Sequence, residues 1–104
     1  MGGVAAGPSP GFFGRAGLIG CIAIGLKITA LRAGIELDAI NVDVKNDWDD
    51  RGIFGIDNVS AGPKETRVTI SVQSKAPKEA IQAILPTALK NDPWLRAFVD
   101  PHTI

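Results

Sequence analysis

One segment constrains this 104-residue chain more than any other. Between residues 11 and 33 scattered glycines are the only turn signals in a mostly apolar run, whose polar marks Arg15, Lys27 and Arg32 lie towards its ends. Phe12, Phe13, Leu18, Ile19, Ile22, Ile24, Leu26, Ile28 and Leu31 fall on more than one face of the helix it would form. A helix that is apolar nearly all round is buried on most sides. Its start is marked by Ser9-Pro10, a serine suited to the N-cap and a proline suited to the first helical position. Gly34 is placed to end it. Gly11, Gly14, Gly17 and Gly20 recur every three residues, and each costs about 1 kcal/mol against alanine in a helix. Close approach of another backbone along that strip is the expected compensation. The stretch between Arg15 and Lys27 is too short to span a bilayer, so the sequence reads as a core helix with no membrane role. A chain of this length is one domain with a modest core. It cannot easily surround such a helix alone, and a homodimer is expected.

The rest of the chain supplies the covering elements. Residues 40–45 (Ile-Asn-Val-Asp-Val-Lys) and 68–73 (Val-Thr-Ile-Ser-Val-Gln) alternate strictly between apolar and polar, the pattern of half-buried strands. Together they predict an antiparallel hairpin. The long connection at residues 46–65 is rich in Asp and Gly, and loops this long are usually functional or disordered. Its Trp48 and Phe54 are read as anchors that pin it to the core. A second helix opens at Pro77-Lys78-Glu79. Ile81, Ile84, Leu85, Ala88 and Leu89 give it one apolar face, and Pro86 predicts a kink or break because it has no N–H for the Gln82 carbonyl. Asp92-Pro93 ends that element, and Trp94, Leu95, Phe98 and Val99 form a last apolar cluster. The fold class is therefore α+β: a long buried central helix on an antiparallel sheet, with a second, kinked helix.

Composition excludes several functions. Eleven basic and eleven acidic residues cancel, and no run of like charge provides a footprint for nucleic acid or an anionic membrane surface. Cys21 is the only cysteine, so no internal disulfide forms, in keeping with a reducing, cytoplasmic compartment. His102 is the only histidine, and no ligand spacing supports a metal site; no cofactor is expected. The stretch from Asp47 to Asn58 fails as a calcium loop, because Arg51 and Asn58 occupy its fifth and twelfth places. Leu18-Ile19-Gly20-Cys21 fails as a lipoprotein cleavage box, because Pro8, Pro10 and Arg15 break the stretch before it.

The order of elements and a set of residues along them resemble the OsmC/Ohr family of thiol peroxidases. These are Gly7-Pro8-Ser9-Pro10, then Gly20-Cys21 eleven residues after Pro10, Ala33-Gly34-Ile35-Glu36-Leu37-Asp38, Arg51-Gly52, Gly55 and Ser74-Lys75-Ala76-Pro77. Asp92-Pro93 stands where the family has its second Cys-Pro, or Ser-Pro in one branch. The Asp49-Asp50-Arg51-Gly52 stretch looks most like the branch that lacks the second cysteine. The resemblance implies one OsmC-like domain over residues 1–104, without the family's usual N-terminal strands, in an intertwined homodimer. It also implies reduction of organic hydroperoxides in an oxidative-stress role. In the family the first cysteine attacks the peroxide, an arginine and a carboxylate hold its thiolate, and a second cysteine resolves the sulfenic acid. Of that set this chain keeps Cys21.

A lone cysteine on an apolar helix is more often a small buried hydrophobe than a nucleophile. Cys21 lies about three turns into its helix, beyond reach of the helix dipole. Arg15, six residues back, points about 120° away. Two functions follow. One is a one-cysteine hydroperoxide reductase that uses Cys21 and an external thiol reductant, with Arg15, Arg51 or Arg96 of either chain as the activating cation and Asp92 at the resolving position. The other is a non-catalytic dimeric module that binds a small hydrophobic ligand or serves a structural role. A carboxylate near Cys21 would raise the thiol pKa and favour the second.

Overall fold

Ser9 begins the first helix as its sequence predicts: its side chain accepts the Phe12 N–H at 3.2 Å, and Pro10 follows at the first helical position. The computed structural model describes Gly7 and residues 9–104; the remainder of the lead-in, and with it Pro8 of the Gly-Pro-Ser-Pro motif, lies outside the described residues. The helix, α1 (Pro10–Arg32), closes at Gly34, whose φ of 72° suits glycine. There the Gly34 N–H reaches the Leu31 carbonyl and the Ile35 N–H reaches that of Ala30, at 3.1 and 2.8 Å. This paired closure satisfies carbonyls that the helix end would leave open.

Two strands follow, β1 (Ala39–Asp47) and β2 (Glu65–Gln73), paired antiparallel along their whole length. The register sets Ile40 opposite Val72, Val42 opposite Ile70 and Val44 opposite Val68. Side chains alternate across a strand, so these six share the face that meets α1. Leu18, Ile22, Val42 and Val44 form the buried centre, with Ile19, Ala23, Ile40, Ile70, Leu89 and Leu95 packed around it. At the end of the same face Asn46 Nδ2 donates to Thr66 Oγ1 across the strands at 2.7 Å.

Burial of α1 within the chain is confined to one stripe at four-residue spacing, Leu18, Ile22, Leu26 and Ala30. Phe12, Phe13, Ile24, Ile28 and Leu31 are exposed. A two-stranded sheet and two short helices reach only one flank of a 23-residue helix. The glycine strip has few neighbours in the chain: a Cβ on Gly14 or Gly20 would meet nothing within 4 Å. Taken whole, α1 is long and apolar enough to cross a bilayer, unlike its Arg15-to-Lys27 stretch alone, although its central stripe is committed to the sheet.

The loop between the strands is held by charge rather than by its aromatic residues. A 3-10 turn at Asp50–Gly52 is capped by the Asp49 side chain, and Arg51 bridges Asp49 at 2.7 Å and Asp57 at 3.3 Å. Gly52 lies so close to the Ser60 carbonyl that a Cβ there would overlap it. Phe54 is 75% exposed and anchors nothing, and Trp48 is half exposed. The second helix, α2 (Lys78–Lys90), runs through Pro86 without a break. Pro86 is on the exposed side, where water can satisfy the Gln82 carbonyl. The last apolar cluster forms a third helix, α3 (Pro93–Val99), capped by Asp92, whose Oδ1 accepts the Leu95 N–H at 2.9 Å.

Candidate functional site

Gly17, Cys21 and Gly25 are spaced four apart and so share one face of α1. The start of α3 docks on that face. A Cβ on Gly17 would stand 3.6 Å from Trp94 Nε1, and one on Gly25 would stand 4.0 Å from Asp92 Oδ2 and 3.9 Å from the Ala88 carbonyl. Cys21 lies between these two contacts, facing the turn that joins α2 to α3. It is a free, partly buried thiol.

Among the described residues Asp92 is the buried charged one, 2% exposed. One oxygen is committed to the α3 cap, while Oδ2 accepts no hydrogen bond of good geometry. Such an unpaired buried oxygen costs about 1–3 kcal/mol, and the Cys21 thiol is a group that interacts with this carboxylate. The thiol is pushed above its ordinary value of 9.0, first by burial and then by hydrogen bonding with Asp92; a backbone hydrogen bond from Trp94 opposes this, and the charge of Asp92 adds a smaller push in the same upward direction. Like charge disfavours the thiolate, so within one chain this site keeps Cys21 protonated at neutral pH.

No arginine is among the groups that shift the thiol. Arg15 reaches Asn46 Oδ1 at 3.5 Å, across the helix–sheet interface. Arg51 is bound within the exposed loop by Asp49 and Asp57. Arg96 pairs with Asp100 at 3.5 Å, its Nε buried without a partner. The structure thus brings Cys21 and Asp92 together and engages all three arginines elsewhere. Among the described residues, no group of three or more His, Cys, Asp or Glu side chains is arranged to hold a metal ion.

The family model for OsmC-like proteins matches residues 2–103. The chain belongs to the OsmC-like family. A crystal structure of an OsmC-like hydroperoxide resistance protein from Jannaschia sp. CCS1 matches it at a TM-score of 0.74 and 26% identity, over 100% of this chain and 68% of that one. An OsmC-like protein from Mycoplasma pneumoniae matches at a TM-score of 0.81 and 16% identity, over 92% of this chain and 65% of that one, and shows the shared fold. This OsmC-like chain therefore spans about two thirds of the length of these structures. No curated protein matches it. The structural match includes α1, which places that helix in the OsmC fold.

The sequence placed Asp92 at a helix end and, by resemblance, at the resolving position, where a carboxylate near Cys21 would raise the thiol pKa, but it did not show a third helix. The signal for its other role was present, because Asp92-Pro93 repeats the cap-and-proline signature of Ser9-Pro10. A third helix starting there is what buries the carboxylate beside Cys21.

Proposed function

We propose that this protein is a one-cysteine OsmC-like hydroperoxide reductase, working in the cytoplasm as a homodimer with Cys21 as the peroxidatic residue. The observation that carries this reading is the family match over residues 2–103, with Cys21 at the place of the family's first cysteine and turned toward Asp92, where the resemblance puts the second. In the reaction the Cys21 sulfur attacks the outer oxygen of an organic hydroperoxide. An S–O bond forms, the O–O bond breaks, the sulfur loses two electrons and the peroxide leaves as an alcohol after taking up a proton. Asp92 cannot resolve the sulfenic acid. One external thiol condenses with it to a mixed disulfide and water, and a second releases Cys21 and leaves as the disulfide.

The open surface of the chain fits the homodimer of this reading. The chain exposes 7851 Å² and has a radius of gyration of 16.8 Å. A compact chain of this mass exposes about 5,600 Å² and has a radius of about 13 Å. The excess is comparable with the area an obligate interface buries. A second copy on the open face of α1 would cover Ile24, Ile28 and Leu31 and could bring an arginine to Cys21. The raised thiol, and the lack among the described residues of a cation acting on it, favour a second reading, a non-catalytic dimeric module.

The deciding assay is consumption of cumene hydroperoxide by the purified protein with excess dithiothreitol, beside Cys21→Ser. Turnover that disappears in the variant supports the reductase. Equal consumption by the two proteins overturns it in favour of the module.

A further inference from the structure

A groove of about 380 Å³ opens between the first turns of α1, the end of the hairpin and α3, large enough for a small ligand. Leu18, Val44, Val68 and Leu95 make its apolar floor, and Cys21 does not line it. Its polar groups gather at one end. Arg15 reaches Asn46 at 3.5 Å, and Asn46 is in turn bound to Thr66. No acidic residue lines the groove. Among the described residues Arg15 makes no salt bridge, whereas Arg51, Arg67 and Arg96 each do. Its guanidinium has five N–H donors and no acceptor, and the long contact to Asn46 uses one of them. Gly11 makes room for it: a Cβ there would stand 3.2 Å from Arg15 Nη1.

We propose that this groove binds an amphipathic monoanion, with a carboxylate on Arg15 and an apolar tail along Leu18, Val44, Val68 and Leu95. An apolar trough with one unpaired cation at its end is complementary to that chemistry, and a carboxylate matches the guanidinium fork. The site is separate from Cys21 and does not rest on peroxidase activity.

Gly14 provides the test. It lines the groove, and a Cβ there meets nothing within 4 Å, so Gly14→Leu starts from an unobstructed Cβ and carries its bulk into the trough. Leucine also favours helix over glycine, so the fold survives. Calorimetric titration of the full chain with decanoate and with 1-decanol reads the result. The wild type binds decanoate about tenfold more tightly than decanol, the scale of a charge-assisted bond. Arg15→Gln removes that preference, and Gly14→Leu removes binding of both at an unchanged or raised melting temperature. Cys21→Ser binds like the wild type even if the reductase reading has failed. Equal affinities for the two probes in the wild type, or a preference that survives Arg15→Gln, overturn the proposal. So does a wild type that binds neither probe while Gly14→Leu breaks a dimer, which would show that a second copy fills the groove.

Discussion

Replacing Asp92 with asparagine changes the charge beside Cys21 and almost nothing else. Asparagine is as good an N-cap as aspartate, so its side-chain oxygen keeps the 2.9 Å bond from the Leu95 N–H. Its amide then turns two donors toward the sulfur where the wild type presents an unpaired Oδ2. Both changes favour the thiolate, so the Cys21 pKa falls from its raised position. At neutral pH each unit of that fall gives about ten times more thiolate, while nucleophilicity drops about threefold, a net gain of roughly three- to fourfold per unit. Asp92→Ala separates charge from capping. It also removes the carboxylate but gives up the cap, at about 1 kcal/mol, or roughly 4–8 °C in melting temperature for a domain of this size. The assay is the rate of Cys21 alkylation by monobromobimane across pH, beside thermal melts. Faster labelling and an alkylation profile moved to lower pH are expected for Asp92→Asn, with its melt close to wild type. A profile that does not move would refute the reasoning, because it would mean that Asp92 does not control the thiol.

Four further outcomes test other parts of the structure. The folded Cys21 pKa lies above 9.0, so its contribution to stability is fully present below that value and is lost as pH rises through the folded pKa; urea titrations should show an alkaline loss that Cys21→Ser lessens. In the loop Arg51 holds Asp49 below its ordinary carboxylate value, a contribution present above 3.8 and lost as pH falls through the folded value; Arg51→Gln should return the Asp49 titration, followed by NMR, toward 3.8. Gly52→Ala places a methyl on the Ser60 carbonyl and within 2.7 Å of Ala61 Cα, an overpacking of about 1–3 kcal/mol that should speed proteolysis at the loop; unchanged cleavage would count against the close approach. Ile24→Lys with Ile28→Lys puts two charges on the open face of α1 and should convert a dimer to monomer by light scattering, whereas a wild type already monomeric would end the dimer reading.

Much of the architecture was legible because it rests on local chemistry. Ser9-Pro10 and Gly34 bracket α1 through caps that use only neighbouring residues. The alternation at 40–45 and 68–73 yields a hairpin whose apolar faces coincide in register. The distant contacts were less legible. Pro86 does not break α2 because its side of the helix is open to water, and exposure is set by what packs on the opposite face. Phe54 was read as an anchor, but the ion pairs of Arg51 do that work and Phe54 stays in solvent. The site was half legible: Cys21 stood out as the lone thiol, whereas its contact with Asp92 required the start of α3 to dock between Gly17 and Gly25, a placement no local pattern encodes.

Among the described residues, those that cover α1 all follow it in the chain, and this has a consequence for synthesis. Ile22 is complete 73 residues before Leu95, an interval of roughly 4–15 s at ribosomal rates of about 5–20 residues per second. Through that interval Val42 and Val44 arrive first, but β1 cannot pair until β2 emerges. For seconds at a time α1 therefore waits for the strands and helices that cover its buried stripe in the structure. Its yield in the cell should depend on chaperones that shield emerging chains, and on the speed of translation through the loop between the two strands.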